Sequence, residues 1–389
     1  MSKHSLALFG KKIFLETGIV DDSWLLIEDG KIKDVATDLP ANYSGQIYRY
    51  ENAYILPGLI DMHIHGAEGA DTMDASEEAL QKISWHLGKR GITGFLPTTV
   101  TESPERIQNA VRSVAKLQSS EELGAEILGC YIEGPFISEP HKGAHPTEWI
   151  REIDLNELQR IIDLGEGAVK IVALAPEKNG AQEAIRLLVD QGVQVALGHT
   201  DSTYDTAIDA VNAGASIGTH TYNGMRGLHH REPGMVGAIL TQDGVWAELI
   251  GDLVHVHPAA IDILLRCKGT DRVILIGDCM RALGLEDGAY TLGALKVIVK
   301  DHVPYTESGS IAGSTTDIMS AVWRMIHFVG IDPLEAVHMA SLNPARCLKL
   351  DDQLGSIRFG KRANLAIVTT DFEPIGVLKD GNFIYKGEK

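Results

Sequence analysis

The feature that most constrains this chain is an alternation: short apolar, β-rich runs, each followed by a helical stretch, repeat eight times between residues 55 and 344. The runs fall at 54–61, 94–100, 125–132, 169–175, 193–197, 216–219, 246–251 and 272–277. Most are continuously apolar, without a polar residue at every second position. That pattern belongs to strands buried on both faces of a parallel sheet. Between them the spacing predicts helices at 75–90 (stopping at Gly91), after Ser103 with Pro104 at the first helical position, and at 154–164, 181–191, 203–213 and 258–267. Two more follow the eighth run, at 316–329 and 332–342. Eight such units fit a (β/α)8 TIM barrel, for which about 250 residues is typical. An open doubly wound sheet is the rival, but no G-x-G-x-x-G follows any of the runs.

The two ends differ. Residues 5–49 and 355–385 alternate apolar and polar residues around turns such as Glu28-Asp29-Gly30 and Lys379-Asp380-Gly381, the pattern of short antiparallel strands. The expected fold class is therefore α/β. Residues 55–345 form the barrel, and a small flanking β-sandwich domain is built from both termini, residues 1–54 and 346–389.

Composition narrows the function. With 53 acidic against 35 basic side chains, the formal charge is −18. This argues against a nucleic-acid partner, which needs a basic face, and against adhesion to anionic membranes. A small anionic substrate stays open, because one arginine in a pocket can outweigh the surface field. Four scattered cysteines without a C-x-x-C pair suggest neither a disulfide framework nor a thiolate zinc site. No run of 18 or more apolar residues occurs, and charges interrupt the N-terminal segment, so the expected compartment is cytoplasmic.

The histidines carry the chemistry. His63 and His65 close the first run as Asp61-Met62-His63-Ile64-His65-Gly66, and with a strand period of 2 both imidazoles face one side. Glu133 follows the third run, His199 the fifth, His220 the sixth and Asp278 the eighth. Active residues of a barrel gather at the C-terminal ends of its strands, where all six fall. Two imidazoles and a carboxylate make an N/O site for Zn²⁺ or Fe²⁺ with positions left open. Such an ion lowers the pKa of a bound water towards 7 and polarises a carbonyl. Asp278 beside it could accept a proton and return it to a leaving amine. Any one of these residues alone reads as an ordinary loop-boundary polar group; their joint placement does not. His229 and His230 read as rim residues, and His257 as a cap of the helix begun by Pro258. His86, His327 and His338 read as structural, and His141 as either a phosphate contact or a solvent-facing residue.

Taken together, Glu133-Gly134-Pro135-Phe136, Lys142-Gly143-Ala144-His145, Gly198-His199-Thr200, the 219–225 run with Asn223, Arg231-Glu232-Pro233-Gly234 and Ile311-Ala312-Gly313-Ser314 resemble the N-acetylglucosamine-6-phosphate deacetylases of the metal-dependent amidohydrolase superfamily. The resemblance covers nearly the whole chain. It implies hydrolysis of an N-acetyl group to give glucosamine-6-phosphate and acetate. It also implies a metal held by Glu133, His199 and His220, with Asp278 as general base and acid and His145 at the scissile carbonyl. Asn223, Gly224, Arg231, His255 and Ala144 fall at sugar- and phosphate-binding positions, and the arginine reaches across a homodimer interface. The ion expected first is Zn²⁺, with Fe²⁺ as alternative. One ion or two stays open, because His63 and His65 either hold a second ion or only line the pocket. Where family members commonly have threonine before the aspartate, alanine or serine after it, and alanine after the asparagine, this chain has Gly277, Cys279 and Gly224. Cys279 reads as a small buried filler. Alternatives are the galactosamine epimer or another N-acyl or cyclic amide substrate. A non-catalytic scaffold barrel is the rival of a different class, but such a chain should have lost ligands.

Overall fold

A computed structural model describes residues 5–118, 120 and 122–387. The eight parallel strands are Leu59–Ile64, Ile92–Pro97, Cys130–Glu133, Val169–Leu174, Gln194–Leu197, Ile217–Gly218, Trp246–Ile250 and Val273–Ile276. The third to the eighth form one sheet in sequence order, and the first pairs with the second. Closure comes from single contacts at the strand ends. The Thr99 amide donates to the Tyr131 carbonyl (2.9 Å), and the Asp278 amide donates to the His63 carbonyl (2.8 Å). The absence of polar alternation now has its cause. One side of each strand packs into the barrel, as Met62, Leu96, Tyr131, Ile171, Ile217, Trp246 and Ile276 do. The other side, including Leu59, Phe95, Val172, Leu197 and Leu249, packs against the helices.

The helix signals hold locally. Ser103 caps Pro104–Leu117 through the Arg106 amide, Asp154 caps Leu155–Leu164, and Thr203 caps Tyr204–Ala213. His257 caps Pro258–Lys268 by accepting from the Ala259 amide, as its place before Pro258 suggested.

Two local expectations need correction, and two elements lie outside the sequence pattern. The first run is two elements: Gln46–Pro57 belongs to the terminal sheet, and the barrel strand starts at Leu59. Proline has no amide to donate at the break, and the next amide, of Gly58, bonds Asn364 rather than a barrel neighbour. The third run breaks at Gly129, whose φ of 155° separates Glu126–Ile127 from Cys130–Glu133. A helix at Gly234–Thr241 went unread because all its residues but the last are buried, which removes the amphipathic period. Between the eighth strand and the next helix lies an antiparallel insertion, Gly288–Leu292, Leu295–Lys300 and Val303–Thr306.

The termini meet in one seven-stranded sheet, ordered Asn382–Lys386, Pro374–Lys379, Leu365–Val368, Gln46–Pro57, Ser5–Phe14, Ile19–Glu28, Lys31–Ala36. The sheet is continuous in hydrogen bonding but wraps around its own core of Leu8, Leu25, Ile27, Ile55, Leu365, Ile367 and Leu378. Its last strand comes back to the C-terminal half, where Ile32 exchanges backbone hydrogen bonds with Lys361 and Gly360 (both 2.9 Å). The flanking domain expected from both termini is thus one hydrogen-bonded sheet.

Candidate active site and metal centre

At the C-terminal mouth of the barrel lies a cavity of about 250 Å³ lined by His65, Glu133, Gly143, Ala144, His145, His199, His220, Asn223, Gly224, His255 and Asp278, with Ile250, Leu292 and Ile311 as apolar wall. His199 (φ 46°), His220 (φ 28°) and Asp278 (φ 47°) each lie two residues past the end of their strands, in the left-handed region that non-glycine residues avoid. Their neighbours hold them there. The Asp278 carbonyl accepts from the Ser314 amide (2.7 Å), and the His220 amide donates to Glu248 (3.1 Å). Reversing the backbone just past each strand turns the three side chains inward.

Glu133 is the hub. Its Oε1 lies 3.0 Å from His220 Nε2, 3.2 Å from His199 Nε2 and 3.5 Å from His63 Nε2. Its Oε2 lies 3.3 Å from His65 Nε2 and 3.5 Å from His145 Nε2. Asp278 Oδ1 is 3.2 Å from His65 Nε2 and 3.7 Å from His63 Nε2.

Hydrogen-bond partners divide the five histidines into two kinds. His65, His199 and His220 each place Nδ1 on a backbone carbonyl, of Thr98 (3.2 Å), His141 (2.8 Å) and Asn223 (3.0 Å). A carbonyl only accepts, so Nδ1 carries a proton, and the neutral ring presents the Nε2 lone pair inward. His63 does the same through Glu248 Oε2 (3.2 Å). His145 is reversed: the Thr101 amide donates to its Nδ1 (3.2 Å), so Nε2 carries the proton and faces the cavity. Burial and the neighbouring His199 push the His145 imidazole down to about 4, which keeps that donor neutral. Burial pushes the Asp278 carboxyl up, and positive charge at His65 and His63 draws it down to about 2, an ionised acceptor; where those rings are neutral, a bound cation would supply that charge.

The Nε2 atoms of His199 and His220 face one another at 3.0 Å beside Glu133, and His63 Nε2 is buried without a hydrogen-bond partner among the described residues. Burial pushes the His65 ring down, but Asp278 and Glu133 raise it to about 9, so these carboxylates draw in positive charge, as protons on the rings or as a cation that their lone pairs would hold. Two groups bring their ligand atoms within 4.8 Å of one another, His63-His65-Glu133 and Glu133-His145-His199. In the second, His145 is a poor ligand because its inward nitrogen bears the proton. His220, 3.0 Å from the same carboxylate oxygen, has the lone pair that His145 lacks. The chain thus offers groups able to hold a divalent metal, fitting the residues present.

The model of the amidohydrolase family matches residues 54–384. An N-acetylglucosamine-6-phosphate deacetylase from Vibrio furnissii is 46% identical over 82% of this chain and 79% of its own. The chain belongs to the N-acetylglucosamine-6-phosphate deacetylase family of amidohydrolases. An N-acetylgalactosamine-6-phosphate deacetylase from Escherichia coli O157:H7 is 43% identical over 92% of this chain and 93% of that one. A solved N-acetyl-D-glucosamine-6-phosphate deacetylase from Mycobacterium smegmatis, in complex with N-acetyl-D-glucosamine-6-phosphate, superposes with TM-score 0.92 at 31% identity, covering 99% of this chain and 100% of that chain.

Within this amidohydrolase site, two glycines have local reasons. A Cβ on Gly277 would meet Asp61 Oδ2 at 2.5 Å and Cys279 Sγ at 2.7 Å, so those side chains already fill that space. Cys279 is buried and free, its Sγ on the Thr316 carbonyl at 3.0 Å. Gly224 (φ 57°) lets its loop approach the His199 ring, where a Cβ would lie 2.9 Å from Nδ1.

Arg231 is not brought to the cavity. It lies exposed on the mouth loop, its Nη1 2.7 Å from His230 Nε2. His255 lines the cavity with its Nδ1 held by Asp252 Oδ2 (2.6 Å). His141 serves the site through its carbonyl, while its ring pairs with Asp201 (3.0 Å). Sequence reasoning missed Thr101, which fixes His145, and the buried acids Asp61 and Glu248, which touch His63. Glu248 left a readable trace, as the only charge in the apolar run 245–250.

Proposed function

We propose that this chain is an N-acetylglucosamine-6-phosphate deacetylase, hydrolysing the N-acetyl group to glucosamine-6-phosphate and acetate. The observation that carries the reading is the opposed pair of groups in one cavity: a neutral imidazole with its N–H turned inward (His145) and an ionised carboxylate (Asp278) on either side of Glu133. A divalent ion held by Glu133, His199 and His220, with His63 and His65 available for a second, supplies Lewis-acid polarisation and a more acidic water. His145 Nε2–H donates to the acetyl oxygen as negative charge develops there. Asp278 takes a proton from the attacking water as its oxygen bonds the acetyl carbon. It then delivers that proton to the nitrogen as the C–N bond breaks, leaving acetate and the free amine.

Asn223, Gly224, His255 and Ala144 sit around the same cavity, which supports their role in holding the sugar phosphate. Arg231, exposed in one chain, fits a phosphate contact offered to a neighbouring copy, hence a homodimer. Zinc as the ion and the cytoplasm as the compartment complete the proposal. Among the described residues no helix is long and apolar enough to cross a membrane. The 43% identity to an N-acetylgalactosamine-6-phosphate deacetylase favours that epimer as the second reading.

The test is acetate release from both 6-phosphate epimers and from unphosphorylated N-acetylglucosamine, before chelation, after it, and after restoring Zn²⁺ or Fe²⁺. Release should require both metal and phosphate and be faster for the glucosamine compound. A faster galactosamine reaction selects the second reading, and no release from either ester by metal-loaded protein overturns both.

A further inference from the structure

The seventh barrel strand, Trp246–Ile250, points Trp246 and Ile250 into the barrel core, and strand alternation gives Glu248 the same direction. Glu248 is wholly buried there, in a strand whose other residues are apolar. A carboxylate in such a place costs free energy, and an apolar side chain of similar size would pack as well or better. Packing therefore gives no reason for this acid.

Its hydrogen bonds do. The single oxygen Oε2 accepts from His63 Nδ1 (3.2 Å) and from the backbone amide of His220 (3.1 Å), while Oε1 has no partner among the described residues. The first bond commits the His63 proton to Nδ1 and turns the lone pair of Nε2 towards Glu133 Oε1 and Asp278 Oδ1, at 3.5 and 3.7 Å. His63 also differs from the other lone-pair histidines. His65, His199 and His220 lean on neutral carbonyls, whereas His63 leans on a carboxylate, which makes its ring more electron-rich. The second bond pins the left-handed backbone of His220. One oxygen thus ties a histidine of the His63-His65 end to a histidine of the His199-His220 end.

We propose that Glu248 is a positioning residue of the metal centre: through His63 it sets the strength with which the His63-His65 end of the site takes up a divalent ion, and through the His220 amide it holds the two ends in register. This rests on the metal-centre reading above.

The experiment titrates metal-free protein with Zn²⁺ against a competing chelator for the wild type, Glu248→Gln, His63→Ala and the double variant, with thermal unfolding of each metal-free form. Glutamine keeps the shape and an acceptor for the His220 amide but removes the charge behind His63. Glu248→Gln should weaken Zn²⁺ binding about 10- to 100-fold, the usual effect of losing such a supporting partner. Its metal-free form should unfold no earlier than the wild type, which a merely structural role would not allow. In the His63→Ala background the same change should cost nothing further. Wild-type affinity in folded Glu248→Gln, or a full additional loss in the double variant, overturns the proposal. If Glu248→Gln does not fold, Glu248→Asp, which keeps the charge but shortens its reach, is titrated with the same loss expected and the same overturning result. A wild type that binds no Zn²⁺ removes the metal centre itself, a failure distinct from that of Glu248.

Discussion

In the terminal sheet, Leu8, Leu25, Ile55 and Leu365 are fully buried against one another. At the barrel mouth, His63, His65, Glu133, His145, His199, His220 and Asp278 are buried nearly as completely. The burial is alike and the energetics are opposite. Apolar burial stabilises by about 25 cal/mol per Å². Each buried ion costs several kcal/mol before pairing recovers part of it, and each left-handed non-glycine residue adds about 1–3 kcal/mol of strain. Stability is generated away from the mouth and spent on holding charges and lone pairs in a small space. Substitutions should therefore separate the two regions: changes at the mouth should cost chemistry and little stability, and changes in the sheet the reverse.

The largest separation is expected at Asp278. Asp278→Asn removes the acceptor while keeping the shape, so turnover should fall about 10²- to 10⁴-fold, the usual contribution of a positioned general acid–base. The metal content should be retained. Stability should fall by less than a core truncation costs, because asparagine forgoes the attraction that holds the ionised Asp278 below its ordinary value but also relieves its repulsion from Glu133. Steady-state acetate release, metal analysis and a thermal melt of one preparation check all three. Near-normal turnover would remove the proton-transfer role, and a melting point lowered as far as by a core truncation would erase the contrast between the regions.

How much of each region could be read from the sequence follows from the same difference. The barrel strands were legible because burial on both faces leaves only apolar residues, and the paired His63 and His65 because strand period 2 puts them on one side. The convergence of Glu133, His199, His220 and Asp278 was legible as positions at strand ends. The tautomers were not, since they depend on the carbonyls of His141, Asn223 and Thr98, which any residue would supply. Arg231 was legible as a residue type suited to phosphate but not as a position, because a single chain leaves it exposed. The insertion at 288–306 is not legible because its strands are short and half exposed, although Leu292 from it walls the cavity.

The reverse separation is expected at Leu25. It is fully buried in the core enclosed by the wrapped sheet, in a strand remote in sequence from every cavity residue. Leu25→Ala should destabilise the protein by about 2–5 kcal/mol, through lost transfer free energy and the cavity left behind. Turnover per folded molecule should stay at the wild-type value. Denaturant unfolding with activity measured at low temperature reads both, and a drop in turnover of the folded fraction would mean that the sheet helps to shape the mouth.

The smallest effect tests whether the sheet side tolerates a buried charge on the terms the mouth does. Lys361 is almost wholly buried, with Nζ on the Leu354 carbonyl (3.1 Å), the Ser356 hydroxyl (2.6 Å) and Glu16 Oε2 (3.3 Å), while the Ser356 hydroxyl also donates to Glu16 (2.5 Å). Burial pushes the Glu16 carboxyl up, but Ser356 and Lys361 together hold it below its ordinary value. A carboxyl lowered in the folded state stabilises at neutral pH, and that contribution is lost as the pH falls through the folded value. Glu16→Gln should therefore cost about 1.5 kcal/mol at pH 7, the low end for a hydrogen bond to a charged group. The gap from wild type should narrow as the pH drops below the usual carboxylate range. Unfolding curves of both proteins across that range decide it. A gap independent of pH would mean that Glu16 acts by packing alone, leaving Lys361 satisfied by Leu354 and Ser356. The sheet would then have solved with neutral partners what the mouth leaves to a cation.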